Sequence, residues 1–180
     1  LWQSFGPERL KVAVWIWLFC LNGPMIFYNR QEVGEVHRVR IDNFTKHDYE
    51  EADRQRYLSQ LYFEQLNKET IQNFYDRVLK FYKENPVLYL GNNYILDTGS
   101  DNVFGIVRYD AKESVILLAN TRDYKVTAEV DLSQLWSNLK IADSRKKLYV
   151  VHNIEKQIKE YFAGNELRAG NLKIKLNKYD

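Results

Sequence analysis

Residues 7–34 read PERLKVAVWIWLFCLNGPMIFYNRQEVG, and this stretch decides the fold. Gly6-Pro7-Glu8-Arg9 is a helix opening. Proline at the first helical position gives up an N–H that has no helical partner there, and an early glutamate suits the helix dipole. Between Leu10 and Leu21 the single charge is Lys11, so this helix is apolar almost all round and is expected to be buried on most sides. Asn22-Gly23 tolerates a left-handed stop and Pro24 forbids continuation. Met25-Ile26-Phe27-Tyr28 is then a continuous apolar run of strand length. Helix, tight turn and two-sided buried strand form the unit of an α/β protein.

The run Asn22-Gly23-Pro24-Met25-Ile26-Phe27-Tyr28-Asn29-Arg30-Gln31-Glu32-Val33-Gly34-Glu35 resembles the end of the catalytic barrel in the α-amylase superfamily, glycoside hydrolase family 13. There the eighth strand reads roughly Gly-x-Pro, a short apolar or aromatic run, then Gly-x-Glu. Pro24, Tyr28, Gln31 and Glu32 fit, while Arg30 stands where the family usually has glycine. The flanking order is similar as well: a buried helix before the strand, a long amphipathic helix after it, and a β-rich segment closing the chain.

The resemblance implies an α+β fragment, in which residues 1–84 are the last part of a (β/α)8 TIM barrel and residues 85–180 an antiparallel β-sandwich. It implies an α-glucan or oligosaccharide substrate for a full-length parent that is a hydrolase or glucanotransferase. The family's three catalytic acidic residues come from strands four, five and seven, which would all precede Leu1, so no catalytic role carries over to this chain. Glu32 matches the terminal glutamate of the eighth-strand motif, whose family role is to shape the barrel mouth. The alternative is a non-catalytic carbohydrate-binding or interaction β-domain.

The composition of the 180 residues, 45% hydrophobic and 28% charged, is that of an ordinary soluble protein, and a chain of this length buries about 70% of its unfolded surface. The unusual share is aromatic, with 13 Tyr and 4 Trp. Aromatic faces stack on sugar rings, yet most of these rings fall at helix or strand spacing, which favours core packing. A net charge of +2 with both signs interspersed leaves no basic stripe for nucleic acid.

The one cysteine, Cys20, lies in the apolar helix, which excludes an internal disulfide and points to a buried, inert thiol. The chain begins at Leu1 with no basic-then-apolar leader and reads as a piece of something longer, with the cytoplasm as the favoured compartment. The apolar run from Val12 to Tyr28 is broken by Asn22-Gly23-Pro24, so it falls short of the ~20 continuous residues that span a bilayer, and no membrane partner is expected.

A long polar connection runs from Asn29 to about Asp53. If the preceding strand belongs to a barrel, this connection leaves the face where such enzymes place their sites. Asn29, Glu32, His37 and Arg38 are the candidate substrate-binding residues, with Arg40, Asp42, Asn43, His47 and Asp48 beside them. Tyr57, Leu58, Leu61, Tyr62 and Leu66 then recur at helical spacing. Asn67-Lys68-Glu69-Thr70 interrupts, and Ile71, Phe74, Tyr75, Val78, Leu79 and Tyr82 form one clean helical stripe that Asn85-Pro86 ends.

Beyond Pro86 the signals are strands and turns. Runs at 94–96, 103–109, 114–120, 125–130, 148–151 and 172–176 are β-branched, aromatic or alternating, with a polar turn at 110–113. Residues 154–162 suit either a helix or a strand; a strand ending at Phe162 before an Ala163-Gly164-Asn165 turn is the preferred reading. His37, His47 and His152 lack metal-ligand spacing, and there is no phosphate loop or nucleophile elbow, so no metal or cofactor is expected. One barrel strand without neighbours leaves a bare edge, which predicts self-association.

Overall fold

The computed structural model describes residues 2–21, 46–139, 145–153, 158–169 and 172–180. It is a mixed α+β structure in which helices cover one face of a small antiparallel sheet and a two-stranded ribbon covers the other. Among the described residues the sheets have two or three strands and none closes into a barrel.

Helix α1 (Trp2–Cys20) begins before Pro7, so the proline lies inside the helix instead of opening it. Packing sets this helix more than propensity does: Leu10, Val12, Val14, Trp15, Leu18 and Phe19 are all buried, as the apolar pattern requires. No described helix is long and apolar enough to cross a membrane. The strand expected at 25–28 and the candidate residues Asn29, Glu32, His37 and Arg38 lie outside the described residues.

Helix α2 (Lys46–Asn67) already occupies the last part of the expected polar connection. It stops before Lys68, whose backbone is left-handed (φ 58°). Helix α3 (Ile71–Glu84) follows, with Thr70 as N-cap accepting from the Asn73 amide at 3.0 Å and Asn85 at the other end donating its side-chain amide to the Phe81 carbonyl at 2.7 Å. Its stripe is buried at Ile71, Phe74, Tyr75 and Val78. Val87 and Leu88 do not start a strand. Pro86 is itself helical, the Leu88 amide bonds back to the Asn85 carbonyl, and Val87–Leu90 forms a single turn, α4.

Strands β1 (Asn92–Ile95), β2 (Val103–Tyr109) and β3 (Ser114–Asn120) make an antiparallel sheet in that order. The register pairs Ile106 with Leu117 and Val107 with Ile116, so alternate residues serve two different cores. Phe104, Ile106, Val115 and Leu117 join α1, α3, α4 and Phe63 of α2 on one side. On the other, Val103, Val107, Ile116 and Leu118 meet Ala128 and Val130 of β4 (Val126–Val130) and Leu176 of β7 (Leu172–Leu176). A short 3-10 turn (Ser133–Leu135) and helix α5 (Trp136–Leu139) close this second core. Gly105 lies where a Cβ would meet Thr98 Cγ2 at 2.5 Å, so only glycine lets the 98 loop lie against β2.

The buried Asn120 ties the end of the chain to β3. Its side-chain amide donates to the carbonyls of Tyr124 (2.7 Å) and Asn177 (2.6 Å), and its backbone N–H donates to the Asp180 carbonyl at 2.8 Å. Of the ambiguous segment 154–162, the described residues are strand: β6 (Ile158–Ala163) pairs antiparallel with β5 (Leu148–Asn153), and residues 154–157 lie outside the described residues. The expected turn after it is instead the short helix α6 (Gly164–Ala169), where the Glu166 carboxylate caps the Ala163 amide at 2.7 Å.

Candidate functional site

Chain direction brings the one fully buried cation of the described residues under the end of α1. Residues 104, 106 and 108 share a face of β2, and that face looks into the helical core. Its third position is Arg108, 0% exposed. The guanidinium lies near enough to Cys20, the last residue of α1, and to Tyr82, near the end of α3, for its charge to act on both. The Tyr82 ring rests against Tyr89 of α4 at 5.3 Å between centroids. The ends of α1 and α3 therefore lie near one arginine, with α4 reaching it only through Tyr82.

The electrostatics follow from low hydration. Burial lowers the Arg108 pKa, and the neighbouring Tyr82 and Cys20 oppose that shift. A guanidinium starts so high that it stays charged at neutral pH all the same. Desolvation raises Tyr82, partly offset by the arginine, with Tyr89 adding to the rise. Desolvation also raises Cys20, again against the arginine. The expected buried thiol is in fact an exposed one, because the helix ends there and the side chain projects beyond its packed face. A raised pKa keeps it a thiol at neutral pH, and thiols are poor nucleophiles. The cluster is thus a fixed positive charge where the chain enters the stretch from 22 to 45. No group in it is tuned for proton transfer near neutrality.

A second charged cluster joins the helices. Glu69 receives Lys11 of α1 at 3.2 Å and Arg77 of α3 at 2.9 Å, and both cations lie over the Phe74 ring, 5.6 and 5.5 Å from its centroid. Partial exposure limits each ion pair to about 1 kcal/mol or less. This cluster fastens α1 and α3 together.

Of the residues singled out in the sequence, Asn29, Glu32, His37, Arg38, Arg40, Asp42 and Asn43 lie outside the described residues. Among the described residues, no three His, Cys, Asp or Glu side chains gather as a metal site would need. Arg108 escaped the sequence reading, although a signal was present: an arginine in phase with Phe104 and Ile106 on a strand whose both faces are apolar. No protein-family model matches this chain, and no curated protein matches it.

Proposed function

We propose that the chain is the C-terminal part of an α-glucan-active enzyme of the α-amylase type, supplying the last barrel strand and a closing β-domain but no catalytic carboxylate. Glycoside cleavage needs two carboxylates flanking the scissile bond, and in this reading both come from earlier strands. The observation that carries the proposal is the order of elements. An apolar helix precedes the Gly-Pro motif of the sequence, helices α2 and α3 and the turn α4 follow it, and from Asn92 antiparallel strands begin, of which β2 and β3 pack against those helices. In this reading Glu32 shapes the mouth of the barrel.

The decisive experiment has two arms. The coding sequence upstream of Leu1 is expected to encode three acidic residues at the ends of barrel strands, and the purified chain is expected to release no reducing sugar from soluble starch. An initiator codon directly before Leu1, or starch cleavage that persists through repurification, overturns the proposal. Exposed tyrosines on the β half, Tyr124 and Tyr161, favour a second reading as a sugar-binding β-domain. That reading predicts saturable binding of maltooligosaccharides, lost in Tyr124→Ala or Tyr161→Ala.

A further inference from the structure

The open rim of the second core carries two tyrosines held by two amides. Register places Asn92 opposite Tyr109 and Tyr94 opposite Val107, so Tyr94 and Tyr109 are diagonal neighbours on one face of β1 and β2, a spacing of about 7–8 Å that aromatic side chains bridge. Val107 on that face is buried in the second core, whereas Tyr94 is 37% exposed and Tyr109 is half-buried at its margin. The short helical segment that closes this core supplies Gln134 and Asn138, both exposed and four residues apart, which puts them on one side of the turn. The Tyr94 hydroxyl donates to Gln134 Oε1, and Asn138 Nδ2 donates to the Tyr109 hydroxyl at 3.3 Å. Both rings are therefore oriented by an amide.

We propose that these four side chains form a binding platform for a neutral oligosaccharide, with the narrower class of α-glucan resting on the function proposed above. The chemistry of the quartet selects the ligand. None of the four is charged, so nothing in it favours an anion or a cation. A pyranose ring offers an apolar C–H face and a belt of hydroxyls, each both donor and acceptor. Tyrosine meets the first with a flat apolar body and the second with a polar tip. A carboxamide presents donor and acceptor side by side. Gln134 keeps both N–H donors and Tyr109 its O–H for a ligand, since neither donates to a described residue. The ring orientations are set before any sugar arrives, so less freedom is lost on binding. Tyr124 and Tyr161 are more exposed, at 52% and 65%, but neither hydroxyl is held by another described side chain. Trp136 lies between the two amides in sequence, yet it packs against the second core under the Arg168 guanidinium, 5.7 Å from its ring, and leaves the platform to the tyrosines.

Titration calorimetry of the whole chain with maltoheptaose, and in parallel with cellohexaose, tests it. Saturable binding of maltoheptaose is expected, weakened on the order of tenfold or more by Tyr94→Ala and less by Gln134→Ala or Asn138→Ala. Tyr94→Phe is expected to keep most of the affinity, because it keeps the ring and drops only the hydroxyl. Tyr124→Ala is expected to bind as the wild type does. Gln134→Ala changes an exposed side chain and tests the same platform should Tyr94→Ala fail to fold. Binding of neither sugar overturns the proposal, as does binding that ignores Tyr94→Ala and Gln134→Ala alike. A loss in Tyr94→Phe as large as in Tyr94→Ala overturns it too, for the tyrosine would then only pin the helical segment in place. Loss confined to Tyr124→Ala or Tyr161→Ala overturns it in favour of those rings. Binding of cellohexaose alone, abolished by the same quartet variants, upholds the platform and overturns only the α-glucan reading.

Discussion

Helices α2 and α3 are consecutive, each carries apolar residues at intervals of three and four, and they face opposite ways. The α3 stripe of Ile71, Phe74, Tyr75 and Val78 is buried, while Tyr57, Leu58, Leu61, Tyr62 and Leu66 of α2 are exposed and Phe63 of that helix is buried, its ring 5.8 Å from Phe74. Periodicity tells which residues share a face. The direction of the face depends on what lies beside it, which only long-range packing decides.

The strongest way to break the contrast is to remove what α3 leans on. One core joins Leu10, Val14, Leu18, Phe74 and Val78 to Val87, Leu88 and Ile106, with Phe104, Val115 and Leu117 packed against it. Excising residues 1–84 takes all of the latter away and uncovers the side of the α3 stripe that met them, leaving it the contacts with α1 and Phe63. Such a fragment is expected to lose cooperative unfolding altogether; a sigmoidal urea transition from a monomeric 1–84 piece would refute the shared core. Within the intact chain, Phe74→Ala is expected to cost about 3 to 5 kcal/mol through lost contacts and a cavity. At monomeric concentrations Leu61→Ala is expected to cost under about 0.5 kcal/mol, as surface changes do. Equal shifts in the denaturant midpoint for the two would abolish the distinction.

The capping of α3 gives a smaller effect on the same helix. Thr70 holds the Asn73 amide at 3.0 Å, so Thr70→Ala strands one donor of the first turn. A loss of about 1 kcal/mol is expected, with an unchanged denaturant slope, and Thr70→Ser is expected to recover most of it. Both variants behaving as wild type would show that Phe63 and Phe74 position this end without help from the cap.

Legibility followed whether a signal was local. Strands β2 and β3 are β-branched runs between turn residues, and the Asp110 carboxylate closes their hairpin by accepting from the amides of Lys112 (2.6 Å) and Glu113 (2.9 Å), so they lie where periodicity puts them. The stripe of α3 and its stop at Asn85-Pro86 are likewise local. The α4 turn was hidden because Val87 and Leu88 are two buried apolar residues in either conformation, and the choice is made by Pro86 and the Asn85 carbonyl. Ala163-Gly164-Asn165 misled because a glycine suits a hairpin, whereas Glu166 reaches back to open a helix. Arg108 was obscured by the habit of reading arginine as surface. Cys20 was obscured by its apolar neighbours, since a helix end exposes what a helix middle would bury. The candidate residues Asn29, Glu32, His37 and Arg38 rest on the family resemblance of their stretch, which lies outside the described residues.

The smallest expected effect lies at the other end of α3. Its stripe closes with Tyr82, half-buried between Tyr89 and the charge of Arg108. Desolvation raises the phenol above its ordinary value near 10, with the arginine pulling against the rise, so the folded state holds this proton more tightly than the unfolded chain does. The sign is then fixed by linkage: the contribution is fully present below pH 10 and is lost as pH climbs through the folded value. Cys20, raised from an ordinary 9.0 for the same reason, acts with the same sign from a lower pH. The denaturant midpoint is therefore expected to fall on the alkaline side, beginning near pH 9. Cys20→Ser is expected to delay the onset of the fall, and Tyr82→Phe to flatten its steeper part above pH 10, while midpoints at pH 7 barely move in the serine variant. An alkaline limb that steepens in Tyr82→Phe would mean that the arginine, not burial, governs this tyrosine, and the end of α3 would then hold a phenolate–guanidinium pair instead of a neutral ring beside a fixed cation.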